Sequence, residues 1–204
     1  SNTTASNNTA VGYQALYSNT TGQYNMAYGG NALRSNTSAS SSNAFGWYAL
    51  YTNTTGTQNN AFGNSALQQN TSGSSNVAVG AECLASNTTA SENTAVGYSA
   101  GYYNTTGANN AFFGVNSGIR NTTGAQNSFI GTDAGYANTT ANNATFVGYQ
   151  AGKSNTTGAN NTAIGVTALY SNLTGGAVVA VGVGAGYAST VGSAVFVGLD
   201  AGSN

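Results

Sequence analysis

The sequence predicts an all-β fold: a parallel β-solenoid of twelve 17-residue coils that fills positions 1–204 as a single repeat array. Three observations predict it. First, the glycine of an AVG-like phrase recurs at Gly12, Gly29, Gly46, Gly63, Gly80, Gly97, Gly114, Gly131, Gly148, Gly165 and Gly182, always 17 residues apart. Gly198 follows after 16, so the last coil carries a one-residue deletion. Second, the Asn of an NTT-like phrase keeps the same beat from Asn2 through Asn19, Asn36, Asn53, Asn70, Asn87, Asn104, Asn121, Asn138, Asn155 and Asn172, and Ser189 closes the series. Third, a glycine in every coil together with β-branched Thr, Val and Ile disfavours helix. Seventeen residues are also too few for a helical repeat, which needs about 33 or more. Gly, Ser, Asn and Thr richness alone would suggest disorder, but a disordered chain has no reason to keep strict phase.

Each coil can be read in order. The Ala10 position is Ala or Phe, and the Val11 position is always a large apolar residue. Adjacent strand residues face opposite ways, so one of these columns faces the coil interior and the other needs a second dry surface. The invariant Gly12 position indicates a corner or a positive φ. The Ala15 position is Ala in all coils but two, where Cys83 and Ser117 stand, so only a small side chain fits. Cys83 then reads as a small buried apolar group rather than a reactive thiol. Being the only cysteine, it has no intrachain disulfide partner.

The Leu16 position is Leu or Gly, and it trades volume with the Ala10 position. Leu67/Ala78 and Leu84/Ala95 give way to Gly101/Phe112, Gly118/Phe129 and Gly135/Phe146 when each residue is matched to the following coil. Ten of eleven such pairs join large with small, Gly152/Ala163 being the exception. Pairing within one coil works in ten of twelve, so the neighbouring-coil version is marginally preferred. Either way one cavity is filled from two sides.

Stacked coils place identical side chains about 4.8 Å apart, over a rod roughly 58 Å long. Asn amides suit such a column because each can bond to its own copy above and below. These asparagines also head formal N-glycosylation sequons, but a laddered amide is not free to accept a glycan. Like charges at that spacing repel. Accordingly only 3% of residues are charged, and they avoid the Asn and Gly columns. Glu82, Asp133 and Asp200 share one phase without being neighbours, as do Arg34 and Lys153.

Function follows largely by exclusion. With no His, one Cys and seven scattered charges (three Lys or Arg and four Asp or Glu), no catalytic dyad or metal-ligand cluster forms, so the reading is not an enzyme, with no cofactor and no metal. A net charge of -1 provides no basic patch for nucleic acid, and no apolar run approaches the roughly 18 residues of a membrane helix. Two aromatic rows remain as candidate ligand or interchain surfaces. One holds Tyr17, Tyr51, Tyr102, Tyr136, Tyr170 and Tyr187; the other holds Tyr13, Trp47, Tyr98 and Tyr149. Such rows could stack on surface glycans or pack against another chain. The near-continuous Thr20 row makes ice binding a further alternative. A 17-residue coil encloses little volume, so a lone rod would keep an apolar stripe that self-association covers. The array starts and ends in one phase without a polar capping turn, which suits end-to-end stacking in a longer filament.

The phrases NTAVG, SNVAVG, NTAIG and AVVAVG resemble the coils of trimeric autotransporter adhesin heads, and NTAVGYQALYSNTTG resembles repeats of bacteriophage tail-fibre proteins. The likeness spans all twelve coils, although adhesin coils are usually shorter, so NTTG would be an inserted corner. The resemblance implies a left-handed parallel β-roll, a homotrimer, and a structural or adhesive role outside the cell or on a virion. A carbohydrate-binding head that uses the Tyr and Trp rows is the alternative.

Overall fold

The computed structural model describes residues 4–203; Asn2, which keeps the repeat beat, lies outside them. The described chain is a parallel β-solenoid without a helical residue. Its twelve three-residue strands are β1 (Thr9–Val11), β2 (Met26–Tyr28), β3 (Asn43–Phe45), β4 (Asn60–Phe62), β5 (Val77–Val79), β6 (Thr94–Val96), β7 (Ala111–Phe113), β8 (Ser128–Ile130), β9 (Thr145–Val147), β10 (Thr162–Ile164), β11 (Val179–Val181) and β12 (Val195–Val197). They form one sheet in sequence order. Each residue pairs with its copy in the next coil, as Ala10 does with Ala27. The deletion is absorbed between strands: Val179 still pairs with Val195, so the ladder stays in register.

Backbone bonding between coils continues well beyond the strands. The Leu16 N–H donates to the Ala32 carbonyl, Ser18 to Arg34 and Thr20 to Thr37, at 2.9–3.0 Å. Within a coil, three successive turns close by bonds from Ala15 N–H to Gly12, Tyr17 to Gln14 and Asn19 to Leu16. The third residues of the first two turns, Gln14 and Leu16, have φ of 53° and 52°. Positive φ at that place is the mark of a type II turn and favours Gly or Asn. Leucine there is unusual, yet Leu33, Leu50, Leu67, Leu84 and Leu169 all adopt it and are fully buried. At the corner, Gly97 has φ 138°, and a Cβ on it would sit 2.5 Å from the Gly114 carbonyl oxygen. Glycine is required there twice over, by conformation and by the close stacking of corners.

The core is a thin column. The middle residue of each strand points inward, and Ala27, Ala44, Ala61, Phe112, Phe129 and Phe146 are fully buried. The Ala15 column packs beside them. Ser117 is tolerated in that column because its hydroxyl donates to the Phe129 carbonyl at 2.9 Å.

The Leu/Gly exchange follows a different rule from strict neighbouring-coil pairing. Each phenylalanine fills the space above the glycine of its own coil and that of the coil before. A Cβ on Gly101 would lie 2.6 Å from the Phe112 ring, and one on Gly118 would lie 2.5 Å from Phe112 and 3.0 Å from Phe129. At Gly135 and Gly152 the nearest rings are Phe129 and Phe146, both from the same coil. A run of phenylalanines therefore needs one more glycine than it has rings. Three rings (Phe112, Phe129, Phe146) span four glycines (Gly101, Gly118, Gly135, Gly152), and Phe196 spans Gly186 and Gly202. That rule accounts for Gly152/Ala163 and for both mismatches within a coil. It also places glycine, rather than leucine, at a positive-φ site wherever the cavity is already full.

Candidate functional site

Among the described residues no three His, Cys, Asp or Glu side chains come together, and no helix is long and apolar enough to cross a membrane. Cys83 is fully buried, and loss of solvent around it raises its thiol pKa from 9.0 to about 12. It is therefore an inert packing group in the small-residue column.

An apolar strip runs along the described surface. The third residue of every strand faces outward, giving the unbroken column Val11, Tyr28, Phe45, Phe62, Val79, Val96, Phe113, Ile130, Val147, Ile164, Val181 and Val197. Phe62, Phe113, Ile130 and Ile164 are each about two-fifths exposed although sandwiched by copies above and below. Tyr28, Phe45 and Phe62 stack face to face at 4.9 and 4.8 Å. Met26, Val179 and Val195 widen the strip on one side. Beyond the glycine corner the second aromatic row continues it: Tyr13, Trp47, Tyr98 and Tyr149 are all exposed. The Trp47 ring folds over Gly30, occupying the space that glycine leaves, and meets Tyr48 edge-on at 5.4 Å.

The other aromatic row is largely self-satisfied. Arg34 lies between Tyr17 and Tyr51, 5.8 and 5.6 Å from the two ring centres. Its guanidinium also donates to the Gln14 side-chain oxygen at 2.8 Å and to the Tyr51 hydroxyl at 3.2 Å. Lys153 repeats the device between Tyr136 and Tyr170, at 5.8 Å from each, and Tyr170 stacks on Tyr187 at 5.0 Å. Cation–π contact of this kind contributes about 0.5–1 kcal/mol at exposed sites. The signal was present in the sequence, since both cations share the phase of these tyrosines. Lys153 also pairs with Asp133 at 3.3 Å. Asn116 and Gln150, from the coils on either side, donate to the same carboxylate. Tyr102 is half-buried and meets Tyr103 edge-on at 4.6 Å.

The asparagine column is internal. From Asn36 to Asn155 each side-chain amide donates to the Oδ1 of the preceding copy, from 2.7 Å for Asn36 to Asn19 to 3.2 Å for Asn155 to Asn138. The same nitrogens donate to a carbonyl three residues on, as Asn53 does to Gly56 at 2.9 Å. Asn172 leaves the column: its Oδ1 accepts from the Gly175 N–H. A second asparagine column, which the sequence reading missed, runs just before the strands. Asn76 accepts from the Asn93 N–H at 3.0 Å and donates to the Ala90 carbonyl at 2.9 Å. Asn93, Asn110 and Asn127 repeat that arrangement. Its signal was the Asn at this phase in most coils, broken by Ser42, Ala144, Val178 and Ala194. The Thr20 column also turns its hydroxyl hydrogens inward. Thr54, Thr71, Thr88 and Thr105 each donate to the backbone carbonyl of the next copy at 3.0–3.1 Å.

No family model matches the chain, and no curated protein or solved structure matches it significantly.

Proposed function

We propose that the chain is a structural, adhesive segment of an extracellular or virion fibre, assembled by packing the apolar strip of one rod against further copies of itself. The observation that carries this reading is the column of third strand residues from Val11 to Val197, in which the Tyr28 hydroxyl is the one polar group, although the neighbouring column of first strand residues carries Thr, Asn and Ser in most coils. A solvated sheet face normally alternates to polar residues, and a contiguous exposed apolar patch beyond a few hundred square ångströms marks an interaction surface. A near-uncharged coil suits assembly of identical copies, because no like charges are brought together.

Three rods around one axis, wound left-handed, is the arrangement that the adhesin-head resemblance implies, and it belongs to this proposal. End-on stacking, coil upon coil in the register that β1 to β12 keep, belongs to it too.

Sedimentation equilibrium tests the reading. The expected mass is three times the 20.2 kDa of one chain. Phe113→Lys, which places charge at the centre of the strip but not in the core, should yield a folded monomer. A wild-type chain that stays monomeric at every concentration would overturn the proposal.

A further inference from the structure

One coil position departs from its own pattern in two adjacent coils in the middle of the rod. The position after the Tyr17 column is Ser, Thr, Ala or Gln in nine described coils and becomes large only at Tyr103 and Arg120, which are one coil apart. Tyr103 is about half exposed, and the edge-on contact with Tyr102 fixes its ring. Beside it lies a hollow of about 570 Å³ lined by Gln69, Ser86, Tyr103, Thr105, Arg120 and Thr122, within the usual size range of small-ligand sites. On the other flank of the same ring a second hollow is lined by Glu82, Tyr98, Tyr102 and Asn116, among others.

The polar groups of the first hollow have a defined sense. Thr105 and Thr122 spend their hydroxyl hydrogens on the Thr122 and Thr139 carbonyls, at 3.0 Å each, so towards the hollow their oxygens can only accept. The Arg120 guanidinium lies 5.2 Å from the Tyr136 ring centre. It has no carboxylate partner, since the one ion pair among the described residues is Lys153–Asp133. The second hollow is opposite in character: the Glu82 carboxylate there accepts from Ser99 at 3.1 Å.

We infer that Tyr103 and Arg120 form a binding site for an acidic saccharide, with a carboxylated sugar on the Arg120 side and a neutral sugar on the Glu82 side. The aromatic ring offers a flat apolar face to a pyranose ring. The threonine oxygens accept from its hydroxyls, and the guanidinium donates to its carboxylate in the planar fork that arginine provides. A carboxylate on the Glu82 side would meet like charge. A purely acidic peptide would satisfy Arg120 but offers no flat pyranose face for the Tyr103 ring. The site needs only one rod, so it stands or falls independently of the fibre reading.

Isothermal titration of the intact chain with hyaluronan oligosaccharides, which alternate uronate and neutral sugar, tests the inference; neutral chitin oligosaccharides and polyglutamate serve as comparisons. One site per chain is expected, with binding preferred to both comparisons. Tyr103→Ser and Arg120→Ser restore the residue that Ser86 and Ser154 carry at this position, so the fold is retained, and an unchanged thermal midpoint checks this. Tyr103→Ser should abolish binding. Arg120→Ser should weaken hyaluronan by about tenfold, the scale of one charge-assisted contact, and remove its advantage over chitin. Ser171→Ala, at the same coil position four coils further along the rod, should change nothing. Absence of binding, binding that survives Tyr103→Ser and Arg120→Ser, or equal binding of polyglutamate would overturn it.

Discussion

Phe112 occupies the space that Gly118 leaves empty: a Cβ built on Gly118 would lie 2.5 Å from the Phe112 ring. The same carbon would lie 3.0 Å from Phe129, so the glycine is enclosed by rings from its own coil and the next. Gly118→Leu therefore overpacks the column, although leucine tolerates this backbone conformation elsewhere in the chain. The expected loss is about 1–3 kcal/mol, read as a lower urea midpoint. An unchanged midpoint would mean that the rings move aside freely.

The rule of one extra glycine per run of rings yields a compensation. Phe146→Ala alone opens a cavity and should cost about 3–5 kcal/mol. Gly152→Leu alone should overpack against Phe146, whose ring would lie 2.5 Å from the new Cβ. Together the two changes shorten the run by one ring and one glycine. The leucine introduced in place of Gly152 then has small neighbours on both sides, the truncated Phe146 position and Ala163, just as Leu67 has Ala61 and Ala78. The double variant should be more stable than either single one, with a coupling energy of at least about 1 kcal/mol between these touching sites. Additive losses in a double-mutant cycle would refute the shared cavity.

Most of this architecture was legible in the sequence. The spacing of Gly12 and its copies gives the coil length, and the volume exchange between Leu16-type and Ala10-type positions marks the core. What stayed hidden has physical causes. Leucine carries no sequence signal for positive φ, so the turns at Leu33 and Leu50 could not be foreseen; only the exchange with glycine hinted at them. The second asparagine column was masked by Ser42, Ala144, Val178 and Ala194, each of which breaks its periodicity. The saccharide groove was overlooked because Tyr103 and Arg120 belong to no row: periodic reading finds what repeats, and this site is an interruption.

The buried amide column should be costly to break in its interior. Asn87 donates to Asn70 Oδ1 at 2.9 Å and to the Ala90 carbonyl at 3.0 Å, and its Oδ1 accepts from Asn104 at 3.0 Å. Alanine removes all three bonds, and no water reaches these fully buried groups. Asn104 still donates to Gly107, and Ala90 still accepts from Asn76, so part of the loss is compensated. Asn87→Ala should destabilise by about 2–3 kcal/mol, the penalty of orphaned buried polar groups together with the void left behind. Chemical denaturation measures this, and a loss below about 0.5 kcal/mol, the level of an ordinary surface change, would show that the column does not stabilise the rod.

Cys83 gives a prediction with a defined pH window. Its thiol pKa is about 12 in the fold against 9.0 for the free group, because burial disfavours the thiolate. A folded-state pKa above the unfolded one means that the native chain holds its proton longer. The stability linked to that proton is fully present below pH 9.0 and is lost progressively as the pH rises from 9.0 towards 12. The informative quantity is the difference between wild type and Cys83→Ala, the residue this column carries in most coils. The unfolding free energy of wild type should fall more steeply than that of the variant above pH 9.0, and parallel curves would contradict the shift. Alkylation gives a second readout of the same burial. At a pH of about 8.5 the native thiol should resist iodoacetamide for as long as the rod stays folded and should react promptly in denaturant, because only the thiolate attacks and only the unfolded chain forms it at that pH.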